Sequence, residues 1–134
     1  MVRLIYGCAL AAALVAAGCG GEEFIPPTTP TPDPVTISFS GTLTPNSARL
    51  HRFSPVAGGT VTATLSTLPA NTTIGLDLGT WNGNSCHIII AKTDAALNSV
   101  VIGTVASAGE LCVRVYDVGS LTTSITYGVT VLHP

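Results

Sequence analysis

From Val35 onward, apolar and polar residues alternate with a period of two. Val35, Ile37 and Phe39 alternate with Thr36, Ser38 and Ser40. Val61, Ala63 and Leu65 alternate with Thr60, Thr62 and Thr64. Ile74, Leu76 and Leu78 alternate with Gly75, Asp77 and Gly79. Leu111, Val113 and Val115 alternate with Cys112, Arg114 and Tyr116, and Ile125, Tyr127, Val129 and Val131 repeat the pattern near the C-terminus. A period of two marks strands with one face turned inward and the other outward. Cys86 opens a further apolar run, His87-Ile88-Ile89-Ile90, that reads as another strand. Turn residues punctuate the pattern at Thr44-Pro45-Asn46, Ala57-Gly58-Gly59, Pro69-Ala70-Asn71, Asn82-Gly83-Asn84, Ala108-Gly109 and Val118-Gly119. Short strands with a turn about every ten residues predict one all-β sandwich over residues 35–133. Ala95 to Asn98 reads as a helical turn, and no segment of this region has a sustained helical period.

The N-terminus follows a different rule. Met1-Val2-Arg3 is a short basic start, and Leu4 to Ala17 is an apolar run rich in Ala and Leu. The run is too short for a bilayer-spanning helix, which takes about 20 residues. It has the length of a signal-peptide core. Ala16-Ala17-Gly18-Cys19 resembles a bacterial lipobox, with Ala16 where Leu is usual. The resemblance implies cleavage before Cys19, a diacylglycerol thioether on that cysteine, and a signal peptide over residues 1–18. Two or three acyl chains hold firmly, because each buried methylene contributes about 0.8 kcal/mol. Gly20-Gly21, with no Asp after the cysteine, points by the same resemblance to onward transport to the outer membrane, on its periplasmic or surface face.

Residues 19–34 read as a tether behind the lipid site. Five of the nine prolines of the chain fall between Gly20 and Pro34. Such a segment favours extended polyproline II structure, at about 3.1 Å per residue. Glu22 and Glu23 read as solvated charges.

Composition narrows the function classes. The chain has 134 residues, 9% of them charged, with a net charge of −2. Five basic residues supply no electrostatic footprint for nucleic acid. Of four cysteines, Cys8 leaves with the signal and Cys19 takes the lipid. Cys86 and Cys112 remain, and two cysteines in an exported β domain pair in most cases. The loop they close is worth about 3–4 kcal/mol in the chain-entropy model.

Three stretches together resemble the bacterial pre-peptidase C-terminal (PPC) domain. They are Phe39-Ser40-Gly41-Thr42-Leu43, Phe53 to Leu65 with its Ala57-Gly58-Gly59 turn, and Gly109 to Tyr116 with the closing strand Tyr127 to Val131. The resemblance spans about Val35 to Leu132. It implies a small jelly-roll-like antiparallel sandwich that serves as an accessory or binding module without catalysis of its own. Related domains bind calcium, but the chain lacks the clustered carboxylates of such a shell, so no metal and no cofactor is expected.

Candidate chemistry is sparse. His51, His87 and His133 have no metal-ligand spacing. A catalytic carboxylate pair would need two of Asp77, Asp94, Glu110 and Asp117 to meet in a cleft. The best binding candidate is Trp81 with Asn82 and Asn84, since an indole beside amides can stack and hold a sugar. The same Trp81 could instead plug the core or pack on the cysteine pair. Arg49, His51 and Arg52 form a second patch, or simply a polar strand face. The expectation is a lipid-anchored, non-catalytic envelope module. Its partner would be a protein or polysaccharide, with sugar binding at Trp81 or self-association through a Thr-rich edge strand as alternatives.

Overall fold

The computed structural model describes residues 20–21 and 23–134. The expected signal peptide and the lipid site at Cys19 lie outside the described residues. The described residues between 20 and 34 are exposed and form no helix or strand, as prolines without backbone donors require. Eight strands follow: β1 (Val35–Leu43), β2 (Ala48–Phe53), β3 (Gly59–Thr67), β4 (Ile74–Trp81), β5 (Cys86–Ala95), β6 (Val100–Val105), β7 (Leu111–Tyr116) and β8 (Ile125–His133). They form two four-stranded sheets, in the orders β1-β8-β3-β6 and β2-β7-β4-β5. All neighbours are antiparallel. This is the jelly-roll arrangement of an all-β sandwich.

The alternating residues meet between the sheets. Val61, Ala63 and Leu65 of β3 face Ile74, Leu76 and Leu78 of β4, with Leu111, Val113 and Val115 of β7 and Tyr127, Val129 and Val131 of β8 completing the core. All are 7% exposed or less. Each fully buried large side chain contributes about 1.5–3 kcal/mol. That is the main stabilisation open to a domain with so few charges.

Two strands depart from the simple pattern. In β2 the residues on the core side are Arg49, His51 and Phe53, while Leu50 points out and is 46% exposed. The apolar-in rule is inverted there, because a stacked and hydrogen-bonded histidine occupies an inward site. In β6 the run Val100-Val101-Ile102-Gly103-Thr104-Val105 is apolar on both faces at its start. Its outward Ile102 is 61% exposed.

Two expectations need correction. Ala95 to Asn98 is not a helical turn. Ala95 is the buried last residue of β5, and Asn98 takes a left-handed conformation at φ 68° in the tight turn that follows. Nor is β4 half-buried, since every residue from Ile74 to Gly79 is buried.

Candidate functional site

Trp81, Asn82 and Asn84 sit together where β4 turns into β5. Asn82 is committed to that turn. Its side-chain oxygen accepts the backbone N–H of Asn84 at 3.0 Å and of Ser85 at 2.8 Å, and its own N–H donates to the Ser85 carbonyl at 3.1 Å. Gly83 supplies the left-handed backbone, at φ 94°. Trp81 is half-buried, with the Arg52 guanidinium 4.9 Å from its ring centroid. The cation occupies one face of the indole, so a sugar is left at most one. The indole Nε1 is buried and has no hydrogen-bond partner. Asn84 is exposed.

The second patch is split by the strand pleat. Arg52 lies outward on Trp81, whereas His51 points between the sheets. Its ring stacks on Phe39 at 4.7 Å, and its Nε2 lies 2.7 Å from the Tyr127 hydroxyl. Arg49 Nε donates to the Thr42 carbonyl at 3.1 Å. Burial, then the charge of Arg49, pushes the His51 pKa below its ordinary value. Burial raises that of Tyr127.

Cys86 and Cys112 form a disulfide, with their Cα atoms 5.9 Å apart. They belong to β5 and β7, which flank β4 on opposite sides. In a flat sheet two such strands would stand about 9.6 Å apart. The start of β5 therefore folds over β4 toward β7. Gly79 makes this possible: a Cβ there would lie 2.2 Å from the His87 carbonyl oxygen. The register shift between Leu78 and Gly79 marks the same bend.

On the same outer face Asp77 is fully buried beside Arg114, its cross-strand partner. Arg114 Nε donates to Asp77 Oδ2 at 2.8 Å, and Nη2 donates to the same oxygen. Oδ1 is buried and has no partner. The Tyr116 ring lies 4.6 Å from the guanidinium and directly over Gly75. Two further carboxylates are engaged elsewhere. Asp94 pairs with Lys92 at 3.4 Å. Asp117 accepts the N–H groups of Asn46, Gly119, Ser120 and Leu121, and the bond from Asn46 leads in holding its pKa below the ordinary value. The structure thus gives each of these three its own partners rather than a shared cleft. Among the described residues, no three of His, Cys, Asp and Glu are grouped to hold a metal.

An apolar concavity lies elsewhere, where the sandwich opens between its edge strands β5 and β6. It has a volume of about 330 Å³ and a largely apolar lining that includes Val61, Leu78, Ile90, Val105 and Leu111. Ile89 and Ile102 stand at its rim, 62% and 61% exposed. Sequence reasoning missed this site, although Val100 to Val105, six strand-favouring or small residues without a charge or proline, carried the signal. A second, polar hollow of about 260 Å³ lies among hydroxyl and amide side chains of Asn71 to Thr73 and Ser120 to Thr123.

Compared with known proteins, the sequence matches no family model and no curated protein. Among solved structures the chain is similar to the Yersinia pseudotuberculosis-derived mitogen, with a TM-score of 0.55 and 14% identity over 76% of this chain and 88% of that one. At this identity the similarity is one of fold: the mitogen spans the sandwich without defining its chemistry.

Proposed function

We propose that the protein is an exported, lipid-anchored interaction module of the bacterial cell envelope, a non-catalytic sandwich of PPC-like type. The observation that carries this reading is the apolar groove between β5 and β6, bordered by exposed Ile89 and Ile102. Isolated exposed apolar residues are ordinary, but a concave apolar lining with an apolar rim on an unpaired strand edge suits a binding partner. The disulfide fits an oxidising compartment outside the cytosol. The lipobox resemblance at Cys19 and the proline-rich tether support presentation of the module away from a membrane.

A photo-reactive amino acid at position 89 of the full chain, activated on intact cells, tests the interaction. The expected result is a discrete adduct that disappears when Ile102→Lys is added. If no adduct forms, or the lysine leaves it unchanged, the groove is not an interaction site. Cys19→Ser tests the anchor: the variant should leave the membrane fraction, and its retention there would refute lipidation at this cysteine.

A further inference from the structure

We infer that the partner at the groove is a second copy of this chain, joined edge to edge through β6 in antiparallel pairing. The inference rests on the interaction-module reading and names its partner. Two of the four sheet edges carry features that discourage pairing. β2 bears Arg49, His51 and Arg52, and β5 carries two register shifts as well as Lys92 and Asp94. β1 is uncharged, but its outward side chains are Thr36, Ser38, Ser40 and Thr42, and it leads directly out of the proline-rich segment. β6 pairs with β3 without a register shift. It carries no charge or proline, and it presents Val100 and Ile102 outward at 42% and 61% exposure. An edge of this kind is a template for another strand.

A second copy fits because β6 can complement itself. A two-fold axis perpendicular to the sheet keeps both core faces on one side only when residues of the same facing oppose each other. Centred on Ile102, this places Ile102 against its symmetry mate, Val100 against Thr104, and Val101 against Gly103. Centred on Gly103, it places Ile102 against Thr104 and Val101 against Val105. Both registers set apolar or neutral groups against one another, with no charge left unpaired. Both also bring the two grooves side by side, with Ile89 of each copy at the seam.

The seam is a strip about 20 Å long, the length of a six-residue strand. That is a small contact beside the roughly 1,200 Å² of a stable complex. Pairing is therefore weak between free molecules and strong where copies share a surface, because tethering raises effective concentration.

The test uses full-length chains on intact cells, with Ile102→Cys as the probe and Ser38→Cys on β1 as the comparison. A short bismaleimide bridges thiols in either register. The expected result is about tenfold more covalent dimer from Ile102→Cys than from Ser38→Cys, equivalent to 1.4 kcal/mol of edge preference. Adding Thr104→Lys should bring the yield down to the Ser38→Cys level, since each lysine would face an apolar residue of the other copy. Equal yields from both edges, or insensitivity to Thr104→Lys, would overturn the inference. Adducts at position 102 with another protein instead of a dimer would overturn it too, yet leave the interaction module standing. Absence of any adduct at positions 89 and 102 would remove both.

Discussion

Replacing the disulfide cysteines with alanine, Cys86→Ala with Cys112→Ala, should cost most of what a loop of this length is worth. The sequence separation is 26 residues. In the chain-entropy model a loop of that length constrains the unfolded chain by about 12 cal/mol/K, or about 3.5 kcal/mol at 25 °C. Alanine is preferred to serine because Cys112 is fully buried, and an unsatisfied hydroxyl there would add its own penalty. The bond also holds the start of β5 over Gly79, but the larger effect acts on the unfolded state. For a domain of about 100 residues, 3.5 kcal/mol corresponds to a fall in Tm of about 14–28 °C. Urea titration followed by fluorescence of Trp81, beside the bridge, measures the same loss at constant temperature. A loss below about 1 kcal/mol at unchanged denaturant slope would refute the loop-entropy argument. A changed slope would instead mean that the bridge alters the compactness of the unfolded ensemble.

Gly79→Ala should be costlier than an ordinary strand substitution. Its Cβ would meet the backbone of His87 and Ile88, at 2.2 Å for the nearest atom, so intact-mass analysis should find free thiols at Cys86 and Cys112; complete oxidation would refute the bend. Arg114→Ala should destabilise by about 3–5 kcal/mol, because it strands the buried Asp77 carboxylate. Asp77→Ala should cost less, since the Arg114 side chain is 37% exposed and can turn to water. Equal losses in urea titrations would contradict this asymmetry. His51, whose pKa is held below its ordinary value, binds its proton more readily in the unfolded chain. Its contribution is complete above about pH 6.5 and is lost as pH falls from there through the folded value. His51→Gln should remove that part of the pH slope, and an unchanged slope would show that another group causes it. Asp117 acts with the same sign but at more acid pH, below its ordinary carboxylate range.

The sandwich is legible in the sequence because its central strands obey one rule. In β3, β4, β7 and β8 every second residue is apolar, and those residues form the core. The rule fails where something other than apolar burial fills an inward position. His51 is held by a stack and a hydrogen bond, so β2 reads as a polar patch. β6 escapes the alternation because two of its outward positions, Val100 and Ile102, are apolar. The grouping of Trp81, Asn82 and Asn84 follows from the hairpin signal Asn82-Gly83. Asn82 is spent on the turn through bonds local to that hairpin, whereas the position of Arg52 on Trp81 depended on contact between strands distant in sequence. The uncharged run Val100 to Val105 signalled the apolar edge, but the groove itself could not be read from pattern, because it is formed by two strands that do not pair.

The two faces of β4 connect these features. Its inner face contributes Leu78 and Thr80 to the groove. Its outer face carries Asp77 under Arg114, the Gly79 bend beneath the disulfide, and Trp81 under Arg52. The strand that floors the groove is thus clamped from behind by an ion pair and a covalent bridge. A rigid floor reduces the ordering cost of binding. The clamp should therefore matter to the interaction beyond its effect on folding. In cells held at a temperature where the Cys86→Ala, Cys112→Ala variant is still folded, adduct formation at position 89 should fall relative to the parent chain. A folded variant with undiminished adduct would mean that the groove keeps its shape without the bridge, and that the disulfide serves stability alone.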